Sequence, residues 1–242
     1  MGSYESKVLK ELSTWQKEMI KSAGFTNNFT KGIQKKLNSI IPEKANIIIT
    51  SSIKNMVKGV IFTCKYVSKS PLHSLNLKNR ENLVKEKIKS YRKAAMLSGA
   101  GTGAGGILLS LADFPILLSL KIKFLFDIAG IYGFNLTNYK ERLYILYIFQ
   151  IAFSSQKRRN EIYHIMSHWR DHSKSLPIDM DNFDWKTFQQ EYRDYIDIAK
   201  MLQMLPGIGA VVGAYANYKL MDKLGNTAMN AYRLRLLDNI KN

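Results

Sequence analysis

The sequence predicts an all-α fold: one multi-helix domain in which two glycine-rich apolar helical segments pack together. Three observations predict it. Apolar residues recur at helical spacing along nearly the whole chain. Prolines and glycines punctuate those stripes instead of alternating with strands. A single β-branched run, Ile47 to Thr50, could form a strand, and no second run pairs with it. With 242 residues, 46 % of them apolar and 11 % aromatic, the chain can bury a sizeable core, which excludes a disordered protein. A lone Cys64 excludes a disulfide framework and a cysteine-rich zinc module, and fits a reducing compartment. We divide the chain into a basic amphipathic helical N-terminal region, 1–75, and a helical domain, 76–242.

Residues 4–21 place Val8, Leu12, Trp15 and Met19 on one stripe, with lysines and glutamates around it. Gly24 and the Asn27-Asn28 pair end that helix. The pattern repeats over 30–40 and 43–69, separated by Pro42 and stopped at Pro71, with Ile47, Ile48, Ile49, Ile53, Val57, Val60 and Ile61 as the second apolar set. Residues 78–97 read as a basic helix from Lys78 and Arg80 through Lys85, Lys87, Lys89, Arg92 and Lys93. Phe114 to Tyr132 is apolar but broken by Lys121, Lys123 and Asp127, which suits a helix half buried or flat at an interface. A Tyr- and Ile-rich helix is expected over 138–154, with Glu141 and Arg142 in its first turns. Residues 161–204 look conventionally soluble; Pro177 breaks them, and Asp181 or Asp184 caps a helix carrying Trp185, Phe188, Tyr192, Tyr195, Ile196 and Ala199. A last helix runs through Lys223 to Leu237.

Two uncharged stretches, Ala94–Ala112 and Met201–Tyr218, are each long enough to cross a bilayer. Their glycines, serines and threonines hold their hydrophobicity well below that of a Leu-rich span. Neither is a nucleotide loop. Gly106 is followed by Ile107-Leu108-Leu109 rather than the Lys and hydroxyl residue a phosphate loop needs, and Gly207-x-Gly209-x-x-x-Gly213 has the wrong spacing for a dinucleotide fingerprint. Gly99/Gly103, Gly101/Gly105 and Gly209/Gly213 are small-xxx-small pairs, which let two helix backbones approach closely.

These blocks carry a resemblance. Ser98-Gly99-Ala100-Gly101-Thr102-Gly103-Ala104-Gly105-Gly106, Ala112-Asp113-Phe114-Pro115, Ile131-Tyr132-Gly133-Phe134 and Glu141-Arg142 resemble the signature of the EcsC protein family. Leu205-Pro206-Gly207-Ile208-Gly209-Ala210-Val211-Val212-Gly213-Ala214, Asn217, Ala228, Tyr232, Arg233 and Leu236 are similar to its C-terminal block, and together the two cover about Tyr91 to Leu237. The resemblance implies an α-helical bacterial protein whose namesake is encoded beside the ATPase and membrane subunits of an ABC transporter. It implies no reaction, and gives no catalytic role to Asp113, Tyr132 or Asn217.

Among the chemistry-bearing residues, His164, His168 and His172 recur at i, i+4 and i+8, with Glu161 three residues before His164. On one helix, His164 and His168 could share a metal ion with Glu161 or a distant carboxylate; all three histidines could not reach one ion. The competing reading is a solvated or partly buried histidine face. Asp113 is expected to cap the helix opening at Phe114-Pro115, with a carboxylate of raised pKa in a cleft as the functional alternative. Asn217 reads first as a structural hydrogen-bonding residue between helices. No Ser-His-Asp or Cys-His grouping can be placed, so catalytic residues are unassigned and nucleophilic catalysis is unsupported.

The charge then points to a place of action. There are 36 Lys plus Arg against 19 Asp plus Glu, a net +17, and +12 of it lies in residues 1–92. Such asymmetry suits an anionic partner, although solubility alone is the bland reading. Nucleic acid is disfavoured: Lys35, Lys36, Lys54, Lys58, Lys65 and Lys69 come with little arginine and no nucleic-acid-binding motif. No apolar core follows the first residues, so no secretory signal is expected. The expectation is a protein with no assigned enzymatic activity, cytoplasmic and peripheral to the inner face of the cell membrane. Its partners would be the anionic membrane surface or a membrane protein such as ABC transporter components, and no cofactor is implied. The alternative is a soluble helical enzyme, a metal-dependent hydrolase using Asp113 or the histidine face.

Overall fold

The apolar stripes become the contacts between helices. The structure, a computed structural model, describes residues 3–21, 43–62, 72, 74–100, 114–184, 186–188, 191–192 and 210–241. Among these residues there are eight α-helices and no β-strand: α1 (Ser3–Ile20), α2 (Glu43–Phe62), α3 (Leu77–Ala100), α4 (Phe114–Tyr132), α5 (Tyr139–Phe153), α6 (Gln156–Ser167), α7 (Trp169–Ser175) and α8 (Ala210–Lys241), with a 3-10 turn at Met180–Asn182. The β-branched run of Ile47 to Thr50 is helical. The expected helix over 30–40 and the end of the 43–69 segment, residues 63–69, lie outside the described residues.

α1 buries the predicted set, Val8, Leu12, Trp15 and Met19. It lies on α6, where Trp15 meets Tyr163 edge to face with ring centroids 5.7 Å apart. α5 starts under an Asn138 cap whose side chain accepts the Lys140 N–H. From Arg142 to Phe153 every residue of α5 is buried, which makes it a central element rather than an amphipathic one.

α8 packs along α3 and α4, and α4 along α2 and α3. α4 therefore does not lie flat on one face: eleven of its residues are buried, Lys121 among them. Four neighbouring helices, α2, α3, α5 and α8, bury it on more than one side, overriding the amphipathic reading that its charges suggested. α4 closes through Gly133, at φ 91°, with Phe134 N–H donating to Ala129 O at 2.9 Å and Gly133 N–H to Gly130 O at 3.1 Å. A side chain at that left-handed position would be strained, so glycine is required there.

The histidine segment is not one helix. α6 stops at Ser167, and His168, at φ −112° and ψ 29°, separates it from α7. Downstream, Asp184 rather than Asp181 serves as a cap: its carboxylate accepts Thr187 N–H at 3.0 Å and its carbonyl accepts Phe188 N–H.

Candidate functional site

The bundle has two chemically different ends. Direction is set by contacts between distant residues. Arg80 donates to the Tyr132 carbonyl, Lys87 Nζ lies 3.0 Å from Asp127, and Tyr91 packs on Phe124, so α3 and α4 run antiparallel. Arg233 meets Glu81 and Asp222 meets Arg92, so α8 is antiparallel to α3 as well. The buried Arg142 donates to the Ile61, Leu136 and Thr137 carbonyls, which puts the C-terminus of α2 beside the C-terminal end of α4.

At that end sits a buried ionic and aromatic network. Glu81 has no exposed surface; both its oxygens accept from Arg233, at 2.7 and 2.6 Å, and one also accepts from the Tyr4 hydroxyl at 2.7 Å. Glu11 completes the ring at 2.9 Å from Arg233. Burial weakens the Arg233 charge, but hydrogen bonding and attraction from Glu81, with Tyr132 and Glu11, more than restore it, so the guanidinium remains ionised. Tyr132 and Phe134 stack on Tyr232 at 5.1 and 5.0 Å. Arg235 pairs with Glu141 at 2.5 and 2.9 Å and lies over the rings of Phe134 and Tyr144.

The opposite end is apolar and basic. α2, α4 and α8 begin here and α3 ends here. Leu97 is 76 % exposed, Ile47, Ile116 and Tyr215 are each 61 % exposed, and Ile48 and Met96 are exposed beside them. On the same four helices Lys93 and Lys219 are exposed one turn from Leu97 and Tyr215, and Lys54 and Lys123 are exposed near the middles of α2 and α4. Asp222, nearby on α8, is neutralised by Arg92 at 2.5 Å. Just below this surface Lys121 and Asn217 are fully buried. Lys121 Nζ has no hydrogen-bond partner among the described residues, and burial draws its pKa down from 10.5 to about 8. Among the described residues, no helix is long and apolar enough to cross a membrane.

The model of the EcsC protein family matches residues 6–237, nearly the whole chain. The chain belongs to the EcsC protein family. It is 42 % identical over 231 residues to the Bacillus subtilis "Protein EcsC", covering 95 % of each chain. It is 25 % identical over 259 residues to the "Uncharacterized protein YdbA" of the same bacterium, covering 96 % of this chain and 93 % of that one. No solved structure matches it. The family match takes in α1 and α2, which lie ahead of the motifs that begin near Tyr91. Several of the EcsC motif residues meet in the buried network: Tyr132, Phe134 and Glu141 come together with Tyr232 and Arg233.

Of the residues singled out in the sequence, Gly99 lies in α3 and Gly213 in α8, and Asn217 is buried in α8. Gly101, Gly103, Gly105, Gly209, Asp113 and Cys64 lie outside the described residues. His164 and His168 are brought together, their rings 4.7 Å apart, both exposed, with His168 Nδ1 3.0 Å from the His164 carbonyl oxygen. Glu161 pairs with Arg158 at 2.7 Å, and His172 turns onto Trp169 and Tyr147. Among the described residues no group of three or more His, Cys, Asp or Glu side chains is placed to hold a metal ion. The 78–97 helix presents less charge than its lysines and arginines suggested, because Arg80, Lys87 and Arg92 are engaged within the bundle. Sequence reasoning missed the Glu81–Arg233 pair and the burial of Lys121; an acidic residue on a basic helix and a lysine in an apolar tract were the available signals.

Proposed function

We propose that this EcsC-family protein is a peripheral membrane protein that docks the apolar, lysine-flanked end of its bundle on the anionic inner face of the cell membrane. One observation supports the reading: Ile47, Leu97, Ile116 and Tyr215, exposed on four separate helices, lie toward the same end, with Lys93 and Lys219 one helical turn from Leu97 and Tyr215. A surface of that kind partitions into the head-group boundary, where buried apolar area and attraction to anionic lipid act together. Lysines at such a surface contribute roughly 1 kcal/mol each at low salt. The two uncharged glycine segments join the described helices at this same end, after Ala100, before Phe114 and before Ala210. The ABC transporter link implied by the family resemblance enters as a place of action, the membrane face at which such a transporter's cytoplasmic parts lie.

The test is sedimentation of the full chain with phosphatidylglycerol or phosphatidylcholine vesicles at low and high salt. The protein should pellet with the anionic vesicles and be released by salt. Replacing both Leu97→Glu and Ile116→Glu should weaken pelleting roughly tenfold or more, since each lost apolar side chain forfeits about 1.5–3 kcal/mol of burial. Pelleting that ignores lipid charge, or that survives both substitutions, would overturn the proposal.

A further inference from the structure

A groove of about 520 Å³ runs between α2 and α4. Sites for small organic ligands span roughly 300–1,000 Å³. Its walls are Met56 and Val60 from α2, and Leu118, Ile122 and Phe126 from α4. The two hydroxyls that line it are turned back on their own helices: Ser52 Oγ donates to the Ile48 carbonyl at 2.7 Å and Ser119 Oγ to the Pro115 carbonyl at 2.8 Å. Their donors are spent, so the groove offers hydrocarbon packing along its length and little for a polar ligand to bond. Gly59 widens it, since a methyl group placed there would meet nothing within 4 Å.

Polarity returns at one edge, where the exposed Lys123 lines the groove and Asn55 faces it from α2. By helical register Ile48 continues the α2 wall one turn beyond Ser52, and Ile116 continues the α4 wall ahead of Ser119. By that register the two walls lead toward Ile48 and Ile116 at the apolar end. Its chemistry is that of an amphiphile with one long apolar chain and an anionic head.

We propose that the α2–α4 groove holds one acyl chain of an anionic phospholipid drawn from the membrane, with Lys123 beside the phosphate. The inference rests on the membrane reading above and adds to it a discrete, saturable lipid site. A bound chain would contact Met56, Ile122 and Phe126, and the head group would stay at the basic edge, where its charge remains hydrated.

Calorimetric titration of the full chain with lauroyl lysophosphatidylglycerol, below the concentration at which it forms micelles, tests this. One molecule should bind per chain, and glycerophosphoglycerol, the same head without the chain, should not bind. Gly59→Trp projects an indole into the groove and should weaken binding roughly tenfold or more, with an unchanged circular dichroism spectrum as the check that the fold is kept. Ser119→Phe, from the opposite wall, should act in the same direction, and Lys123→Glu should weaken binding and abolish its salt dependence. Both groove variants should still pellet with phosphatidylglycerol vesicles. No saturable lysolipid binding, or binding indifferent to Gly59→Trp and Ser119→Phe, overturns the groove proposal even if vesicle binding persists. Loss of vesicle binding by the wild-type chain would instead sink the membrane reading.

Discussion

Replacing Lys121 by methionine should make the protein more stable. The ammonium group is fully buried in the middle of α4, among the buried Leu117, Leu118, Phe124 and Leu125, with no hydrogen-bond partner among the described residues. An uncompensated buried charge opposes folding, and it shows as a proton held less tightly in the folded chain than in the unfolded one. The gap between 10.5 and about 8, at 1.36 kcal/mol per pH unit, is about 3 kcal/mol. Methionine has nearly the same length and volume and no charge, so Lys121→Met should recover most of that at pH 7, or about 6–12 °C in Tm for a chain of this size. The sign with pH follows from proton binding. Between about pH 8 and 10.5 the unfolded state holds more protons than the folded state, so the wild type gains stability as pH rises through that window. Urea unfolding of both proteins from pH 7 to 10 should therefore show a difference near 3 kcal/mol that shrinks toward the alkaline end. A variant less stable than wild type, or a difference that stays constant with pH, would refute the reasoning and mean that the amine is compensated.

Further substitutions address the packing of α3 against α8 and the charges at that contact. Glu81→Gln leaves Arg233 buried with only the half-exposed Glu11 carboxylate, and should lower stability by about 3 kcal/mol in denaturant unfolding, whereas Glu11→Gln should cost less than about 1 kcal/mol; equal losses would refute the burial argument. Gly225→Ala would place its methyl 2.7 Å from Ile88 Cγ1 and 2.8 Å from Cδ1, so overpacking of about 1–3 kcal/mol should outweigh the roughly 1 kcal/mol gained in helix propensity, and Tm should fall. In an Ile88→Ala background the same change should raise Tm, and a fall there too would show that crowding by Ile88 is not the cause.

What was legible in the sequence was local. The Val8, Leu12, Trp15, Met19 stripe emerges as the buried face of α1 because helical periodicity alone decides it. Asp184 was legible as a cap for the same reason: the Thr187 amide it accepts is three residues away. Local rules failed where tertiary partners decide. Lys87 and Arg92 looked like part of a solvated basic face, but each meets an aspartate on another helix, 40 and 130 residues away. Lys121 suggested a helix at an interface because nothing in its neighbourhood shows that other helices will cover it. His164 and His168 were correctly placed as neighbours, while His172 was carried off by the break at His168, which no proline or glycine announces. The apolar end was not foreseen as one surface, since its residues come from four helices whose directions only the assembled bundle sets.

The pairing of Glu81 with Arg233 bears on how the chain is made. The two residues are 152 positions apart. At roughly 5–20 residues per second, α3 leaves the ribosome about 8–30 s before the arginine that neutralises its glutamate has been translated. During that interval Ile88 also lacks α8, whose Gly225 lies against it. Consolidation of the bundle centre is consequently deferred until α8 emerges, and nascent chains present an uncovered amphipathic α3 to chaperones and proteases until then. Polypeptides released by a stop codon ahead of Ala210 lack all of α8, and with it the Arg233 that pairs with Glu81.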